Sequence, residues 1–151
     1  MKKTVKSIVL ISMIICGILF VVCAILAPIL AHFKFYQTSA MITNMLSFTC
    51  HQGQKGSFWI LDYPVALCAR CLGFYTGLAI YGIKSLFNKI KLNIKTFGIL
   101  ILISIIGLIC DSILKTNIGN IVRFIIGLIL GLIFVIIINI IFNLFQKRKI
   151  K

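Results

Sequence analysis

The sequence predicts an all-α integral membrane protein that crosses the bilayer about four times. Hydrophobic residues make up 61% of its 151 residues, and the mean hydropathy is +1.15. A water-soluble fold of this length cannot bury so many apolar side chains. Four apolar segments reach the roughly 20 residues that a transmembrane helix needs, so residues 1–151 are predicted to form a single membrane domain. The predicted spans are residues 7–31, 64–87, 96–114 and 118–145.

The first predicted span follows a basic N-terminus, Met1–Lys6, and therefore has the outline of a signal peptide. Its apolar run is too long for the hydrophobic region of a signal peptide, and no small-x-small cleavage site follows it. We therefore expect a transmembrane helix that is retained in the protein.

A long segment, His32–Tyr63, separates the first two spans. Within it, Ser39–Cys50 carries apolar residues at near-helical spacing, which predicts an interfacial or re-entrant helix. Further on, Asp62 and Pro64 are typical of a helix start, with a capping carboxylate and a proline in the first turn. If the helix starts at these residues, the motif Cys68–Cys71 lies one to two turns inside the second span.

Glycines at helical spacing mark two of the spans. Gly73 and Gly77 form a G-x-x-x-G pair in the second span, and Gly119, Gly127 and Gly131 lie on one stripe of the fourth. Small residues at this spacing allow two helix backbones to approach closely. The glycines therefore predict helix packing, either within one chain or between the copies of a homo-oligomer.

The distribution of positive charge predicts the orientation. With both termini placed in the cytoplasm, eleven of the 16 Lys and Arg residues fall on the cytoplasmic side, as the positive-inside rule requires. The net charge of +14 is thereby explained by topology, and we expect no nucleic-acid partner. The lipid bilayer is the predicted surrounding. The cysteine motifs and both acidic residues then lie on the extracytoplasmic side.

Three thiols and one imidazole lie close together in the sequence, in Cys50, His51, Cys68 and Cys71. Thiolates and imidazole are the ligands that Zn²⁺ prefers, and a C-x-x-C pair is a common half of such a site. Adjacent side chains such as those of Cys50 and His51 diverge, so both reach one ion only where the backbone is irregular. The four residues predict a metal site, with Zn²⁺ as the expected ion.

The same thiols allow a redox interpretation. Cys68 and Cys71 face an oxidising compartment in this topology, where a C-x-x-C pair at a helix start serves thiol–disulfide exchange. Such an oxidoreductase would pass electrons to a quinone and would need a cavity for it beside Phe74 and Tyr75. A structural disulfide, or thiols that are simply buried, is the remaining interpretation.

Three charged residues add to the polar character of this region. Arg123 lies in the glycine stripe of the fourth span, and Asp111 near the outer end of the third is its expected partner. These two residues and Arg70 are predicted to orient or neutralise the surroundings of the metal. A third hypothesis is a transporter or binder of lipids or small solutes, in which Arg70 and Arg123 hold an anionic group.

Several motifs together resemble a known family. The resemblance is carried by Cys50-His51-Gln52, Ser57-Phe58, Cys68-Ala69-Arg70-Cys71-Leu72-Gly73-Phe74-Tyr75-x-Gly77, Asp111, and Asn120-x-x-Arg123-x-x-x-Gly127-x-x-x-Gly131. With these motifs the chain is similar to a family of small bacterial membrane proteins, domain of unknown function 2085. The resemblance implies that Gln52, Arg70, Tyr75, Asn120 and Arg123 belong to the same site as the thiols.

The family has no assigned activity, so the resemblance implies a shared site without a reaction, and whether the protein is an enzyme stays open. It also implies the cytoplasmic membrane of a bacterial cell as the location. Two positions depart from the family pattern. Gly56 stands where the family has arginine, with Lys55 one place earlier, and Ser112 stands where the family favours glycine.

Overall fold

A computed structural model describes residues 2–51, 53–87, 94–112 and 119–148. The described part of the protein is all-α and mostly helical, which confirms the predicted all-α class. A single 3₁₀ turn, Gln54–Gly56, and a two-stranded hairpin interrupt the described helices. The elements are α1 (Lys2–His32), α2 (Tyr36–Ser47), β1 (Trp59–Ile60), β2 (Tyr63–Pro64), α3 (Ala69–Phe87), α4 (Ile94–Ser112) and α5 (Asn120–Arg148).

Among the described residues, two helices are long and apolar enough to cross a membrane on their own. They are Thr4–His32 within α1 and Asn120–Phe142 within α5. The apolar part of α4, Lys95–Ile109, is shorter. Helix α3 is continuous and carries the charged residues Arg70 near its start and Lys84 in its last turn. The structure thus agrees with a membrane protein, while the number of four crossings stays a prediction.

Helix α3 packs between α1 and α5. Against α5, a Cβ atom built on Gly77 would lie 2.9 Å from the carbonyl oxygen of Leu128 and 3.2 Å from the Cα atom of Gly131. A Cβ atom on Gly73 or Gly127 would overlap the carbonyl oxygen of the facing helix. These four glycines therefore bring α3 and α5 into backbone contact within one chain, which is one of the two uses that the sequence allows.

Helix α1 runs antiparallel to α3 along its other side. Gly17 lies against the backbone of Tyr75, where an added Cβ would be 2.7 Å from the carbonyl oxygen, and Gly82 lies against the side chain of Ile14. Helix α4 packs on α5, with the side chain of Ile126 against Gly107. The order α1, α3, α5, α4 therefore describes the packing of the long helices.

The predicted helix start at Asp62 and Pro64 is wrong. Strands β1 and β2 pair antiparallel there, and Leu61 and Asp62 form the connecting turn with φ angles of 51° and 66°. Positive φ at both central residues is the conformation of a two-residue hairpin turn. Because Asp62 is used in this turn it caps no helix, and α3 begins only at Ala69.

The helix predicted within Ser39–Cys50 is confirmed as α2, although it begins and ends three residues earlier. Lys34, with φ of 66°, lies in the turn that reverses the chain between α1 and α2. Helix α2 then returns along the last turns of α1. Its C-terminal end leads directly into the first cysteine motif.

Candidate metal centre

Pro28 gives α1 a docking point for the segment that leads to Cys68. Proline has no backbone N–H, so the carbonyl group four residues earlier, that of Ala24, loses its helical partner. The backbone N–H of Ala66 donates to this carbonyl at 3.3 Å. Ala24 and Leu67 are completely buried, so the hydrogen bond is formed away from solvent. The proline therefore helps to fix the chain two residues before the first cysteine of the C-x-x-C motif.

The segment that leads to Cys50 is docked on the same turn of α1. The Ser39 hydroxyl donates to the carbonyl oxygen of Ala27 at 2.8 Å, which ties the first turn of α2 to α1. At the other end of α2, the backbone N–H of Cys50 donates to the carbonyl oxygen of Leu46 at 3.2 Å. Cys50 thus leaves the helix as a buried residue of the cluster that also contains Ala24.

The hydrogen bonds from Ala66 and Ser39 to α1 are the two anchors of the site, and they bring three thiols together. The sulfur atoms of Cys50, Cys68 and Cys71 all lie within 4.8 Å of one another. The backbone N–H of Cys68 donates to the Cys50 sulfur at 3.3 Å, and its carbonyl oxygen accepts from Leu72 at 2.9 Å. Cys68 therefore lies at the entrance of α3, and Cys71 follows at i+3 on the same face.

The spacing of the sulfur atoms suits a soft or borderline metal ion. Two thiolates on one Zn²⁺, each about 2.3 Å from the ion, lie about 3.8 Å apart in a tetrahedral site, so the thiols need to close by about 1 Å or less. Three thiolates held this close together, with Cys50 buried and Cys68 and Cys71 half-buried, would repel one another. A cation removes this repulsion, and a trigonal set leaves a fourth coordination position for another ligand.

One predicted ligand, His51, does not join the thiols in the described structure. The side chain of His51 is exposed and is not part of the group of close ligand atoms. Its role as a ligand stays a prediction. Gln52 and the side chain of Asp111 lie outside the described residues, so the expected ion pair between Asp111 and Arg123 stays a prediction too.

The first turn of α5 holds the segment between the two cysteine motifs. The side-chain amide of Asn120 donates to the carbonyl oxygen of Ser57 at 2.8 Å, and Ser57 is buried. Arg123 Nη1 contacts the carbonyl oxygen of Lys55 at 3.5 Å and Asn120 Oδ1 at 3.4 Å. The guanidinium also lies beside Gly56, where an added Cβ would be 3.0 Å from Nη1. Asn120 and Arg123 therefore support the loop, and their place in the same site as the thiols stays a prediction.

Arg70 and Tyr75 project from the beginning of α3 and are both half-buried. The ring of Tyr75 stacks on Phe20 with a centroid distance of 4.4 Å, and its other ring neighbour, Phe74, lies edge-on at 5.5 Å. Phe74 in turn contacts Phe134 at 6.0 Å. Phe20 therefore covers one face of the Tyr75 ring, and the quinone cavity suggested beside Phe74 and Tyr75 stays a prediction.

A cavity of about 270 Å³ lies between α1, α2 and residues 57–66. Its wall includes the hydroxyl groups of Ser39, Thr43 and Ser57, and none of the three clustered thiols is among its described lining residues. Ser39 and Thr43 donate their hydroxyl hydrogens to backbone carbonyl groups. The cavity is therefore a separate feature beside the anchors of the thiol group.

Sequence reasoning missed the contribution of Pro28, Ala24 and Ser39. A proline inside an apolar helix is a usable signal, since it always frees a carbonyl group one turn earlier. The partner of that carbonyl, Ala66, has no recognisable pattern in the sequence.

Pro28→Ala is expected to weaken metal binding by about 2–10-fold, the equivalent of one hydrogen bond of about 0.5–1.5 kcal/mol. Alanine supplies the missing N–H, which competes with Ala66 for the Ala24 carbonyl. The dissociation constant for zinc, measured by competition with a chromophoric chelator, tests this. Pro64→Ala is the matched control, because that proline lies in the hairpin. Unchanged affinity in Pro28→Ala would contradict the role of this anchor.

Comparisons with known proteins agree with a membrane assignment. The family model described as "Predicted membrane protein (DUF2085)" matches residues 50–137, a range that contains all three clustered thiols. An uncharacterized protein of Methanocaldococcus jannaschii is 40% identical over 42 residues, which is 28% of this chain and 27% of the relative. This chain therefore matches about a quarter of the length of that relative. No solved structure matches the chain. Because the family model covers more than half of its residues, the chain belongs to the DUF2085 family of predicted membrane proteins.

Proposed function

We propose that this protein is a zinc-binding protein of the cell membrane, with Cys50, Cys68 and Cys71 as thiolate ligands. The observation that carries the proposal is the approach of these three sulfur atoms to within 4.8 Å of one another. Thiolate-rich sites select Zn²⁺ and other thiophilic ions over Mg²⁺ and Ca²⁺. The chain has only two acidic residues, so it offers few of the oxygen ligands that hard cations need.

The proposed topology has four crossings, with α1, α3, α4 and α5 as the spans and both termini in the cytoplasm. The Lys and Arg distribution supports this orientation. The thiol group is then near the extracytoplasmic end of α3. In this orientation the outer leaflet of the bilayer surrounds the His32 end of α1.

The proposed ion joins two parts of the chain that backbone contacts alone connect weakly. Cys50 follows α2, whereas Cys68 and Cys71 belong to the entrance of α3. A metal bound by all three therefore fixes the outer segment onto α3. We propose that His51 or an exogenous ligand fills the fourth position, and that Arg70, Asn120 and Arg123 keep the surrounding loop in place.

A zinc titration of the reduced, detergent-solubilised protein tests the proposal. The wild type is expected to bind one equivalent, and Cys68→Ser/Cys71→Ser is expected to lose this binding. Cys16→Ser is the control, because Cys16 is exposed on α1, away from the group. His51→Ala should weaken binding if the imidazole is the fourth ligand and leave it unchanged if another ligand takes that position.

Absence of zinc binding by the reduced wild type would contradict the proposal. If Cys68 and Cys71 are then found as a disulfide in the isolated protein, quinone-coupled thiol oxidation becomes the reaction to assay. Survival of that exchange reaction in His51→Ala would separate it from metal chemistry, since the imidazole has no part in a dithiol step.

A further inference from the structure

Helix α2 has two apolar faces. Ile42 and Leu46 pack into the core cluster that includes the end of α1. On another face, Met41, Met45 and Phe48 follow one another at intervals of four and three residues, and they are 63%, 75% and 92% exposed. The helix contains no charged residue. A helix with one face in water normally carries charged as well as polar residues there, whereas the exposed polar residues of α2, which are Gln37, Thr38, Asn44 and Ser47, are all uncharged.

Contacts with α1 show in which direction α2 runs. The Ser39 hydroxyl bonds to Ala27, five residues before the end of α1 at His32. Cys50, beyond the other end of α2, belongs to the same buried cluster as Ala24, and its sulfur accepts the N–H of Cys68, two residues after the N–H that bonds to Ala24. At 1.5 Å per residue, Ala27 lies about 7.5 Å and Ala24 about 12 Å from the end of α1 along the helix axis. Helix α2 therefore descends beside α1, and its C-terminal end is the deeper one.

Helix α1, against which α2 packs, also exposes apolar residues. At the level reached by the end of α2, α1 exposes Val22, Ile25 and Leu26, which are 55%, 37% and 40% exposed. Because these three residues belong to the candidate span Thr4–His32, acyl chains are their expected neighbours. Phe48 lies at the deeper end of α2 and is the most exposed of its three apolar residues.

We propose that Met41, Met45 and Phe48 are embedded among the acyl chains of the outer leaflet, so that α2 enters the membrane without crossing it. Lipid is the occupant that matches three exposed apolar side chains on an uncharged helix that packs beside the exposed apolar residues of α1. Cys50 follows the deep end of α2, so the three thiols lie below the membrane surface. This inference concerns the position of the thiols and holds whether or not they bind a metal.

Tryptophan fluorescence tests the position directly, because the chain has a single tryptophan, Trp59. In a Trp59→Phe background, Phe48→Trp places the only fluorophore at the deep end of α2, and Val22→Trp provides a lipid-facing reference on α1. Each protein is reconstituted into phosphatidylcholine vesicles with bromine atoms on the acyl chains. We expect the brominated lipid to quench Phe48→Trp as strongly as Val22→Trp, and aqueous iodide to quench neither appreciably.

Two results would overturn the proposal. Strong quenching of Phe48→Trp by iodide would place α2 in water. Quenching of Val22→Trp alone, with Phe48→Trp protected from both reagents, would show that protein covers this face. Helical content measured by circular dichroism confirms that each variant is folded. A zinc titration of the same samples is read separately, so failure of the metal proposal is distinguishable from failure of this one.

Discussion

Gly127→Val is expected to separate α3 from α5 and to destabilise the whole helix bundle. A Cβ atom at this position would overlap the carbonyl oxygen of Arg70 and lie 2.8 Å from the backbone nitrogen of Phe74. Both obstacles are backbone atoms of a packed helix, so they cannot rotate away as a flexible side chain would. Overpacking typically costs about 1–3 kcal/mol, and we expect the upper end of this range or more. The temperature at which half of the detergent-solubilised protein loses its monodisperse elution peak measures the effect.

Gly98→Ala is the control for this substitution. Gly98 lies in α4, and an added Cβ there meets no atom within 4 Å. Alanine is the better helix former by about 0.5–1 kcal/mol, so this variant should be as stable as the wild type or slightly more stable. If both substitutions lowered the thermal midpoint equally, the close backbone contact between α3 and α5 at Gly127 would be contradicted.

Zinc is expected to stabilise the wild-type protein strongly, and Cys50→Ser is expected to lose this stabilisation. A ligand that binds only the folded state adds about 4 kcal/mol to stability at a concentration 1,000 times its dissociation constant. Cys50 lies between α2 and the entrance of α3, and its sulfur accepts the N–H of Cys68. Without that sulfur the two parts of the site share no ligand. The thermal midpoint with zinc, and then with excess chelator, gives the comparison.

Cys16→Ser serves as the control here, because Cys16 lies exposed on α1. It should respond to zinc and chelator as the wild type does. Lowering the pH should reduce the zinc effect in both proteins, since the thiols must lose their protons to bind the ion. A Cys50→Ser protein that zinc still stabilises by the wild-type amount would show that the metal binds elsewhere.

Apolar run length and glycine spacing predicted much of the fold, because the physics that fixes them is local. A helix in a membrane satisfies its own backbone hydrogen bonds, so α1 and α5 follow from composition alone. Glycine spacing also indicated a close helix contact. Whether that contact joined two helices of one chain or two chains depends on tertiary packing. The structure uses Gly77 and Gly131 within the chain.

The segment between α2 and α3 was harder to predict. Asp62 has the same local signal whether it caps a helix or forms a hairpin turn, because Asp tolerates positive φ and also caps helices. Tertiary pairing of β1 with β2 decides between the two. The backbone hydrogen bond from Ala66 to Ala24 cannot be predicted from a local sequence pattern either, since it joins residues 42 positions apart.

The thiol group was predictable only in part. Cys68 and Cys71 at i and i+3 share a face of any helix that contains them, so half of the site follows from spacing. The approach of Cys50 depends on the reversal at Lys34 and on the descent of α2 along α1. His51 follows Cys50 directly in the sequence, and yet its side chain is exposed, so adjacency in sequence does not predict that two side chains point to the same site.

The central claim, a metal held by three thiolates, is tested most directly by the metal content of the isolated protein. The protein is purified in detergent without chelator and analysed by mass spectrometry beside Cys68→Ser/Cys71→Ser. Near-stoichiometric zinc in the wild type and its loss from the variant is the predicted result. Wild-type protein without metal, in which Cys68 and Cys71 form a disulfide, would contradict the claim.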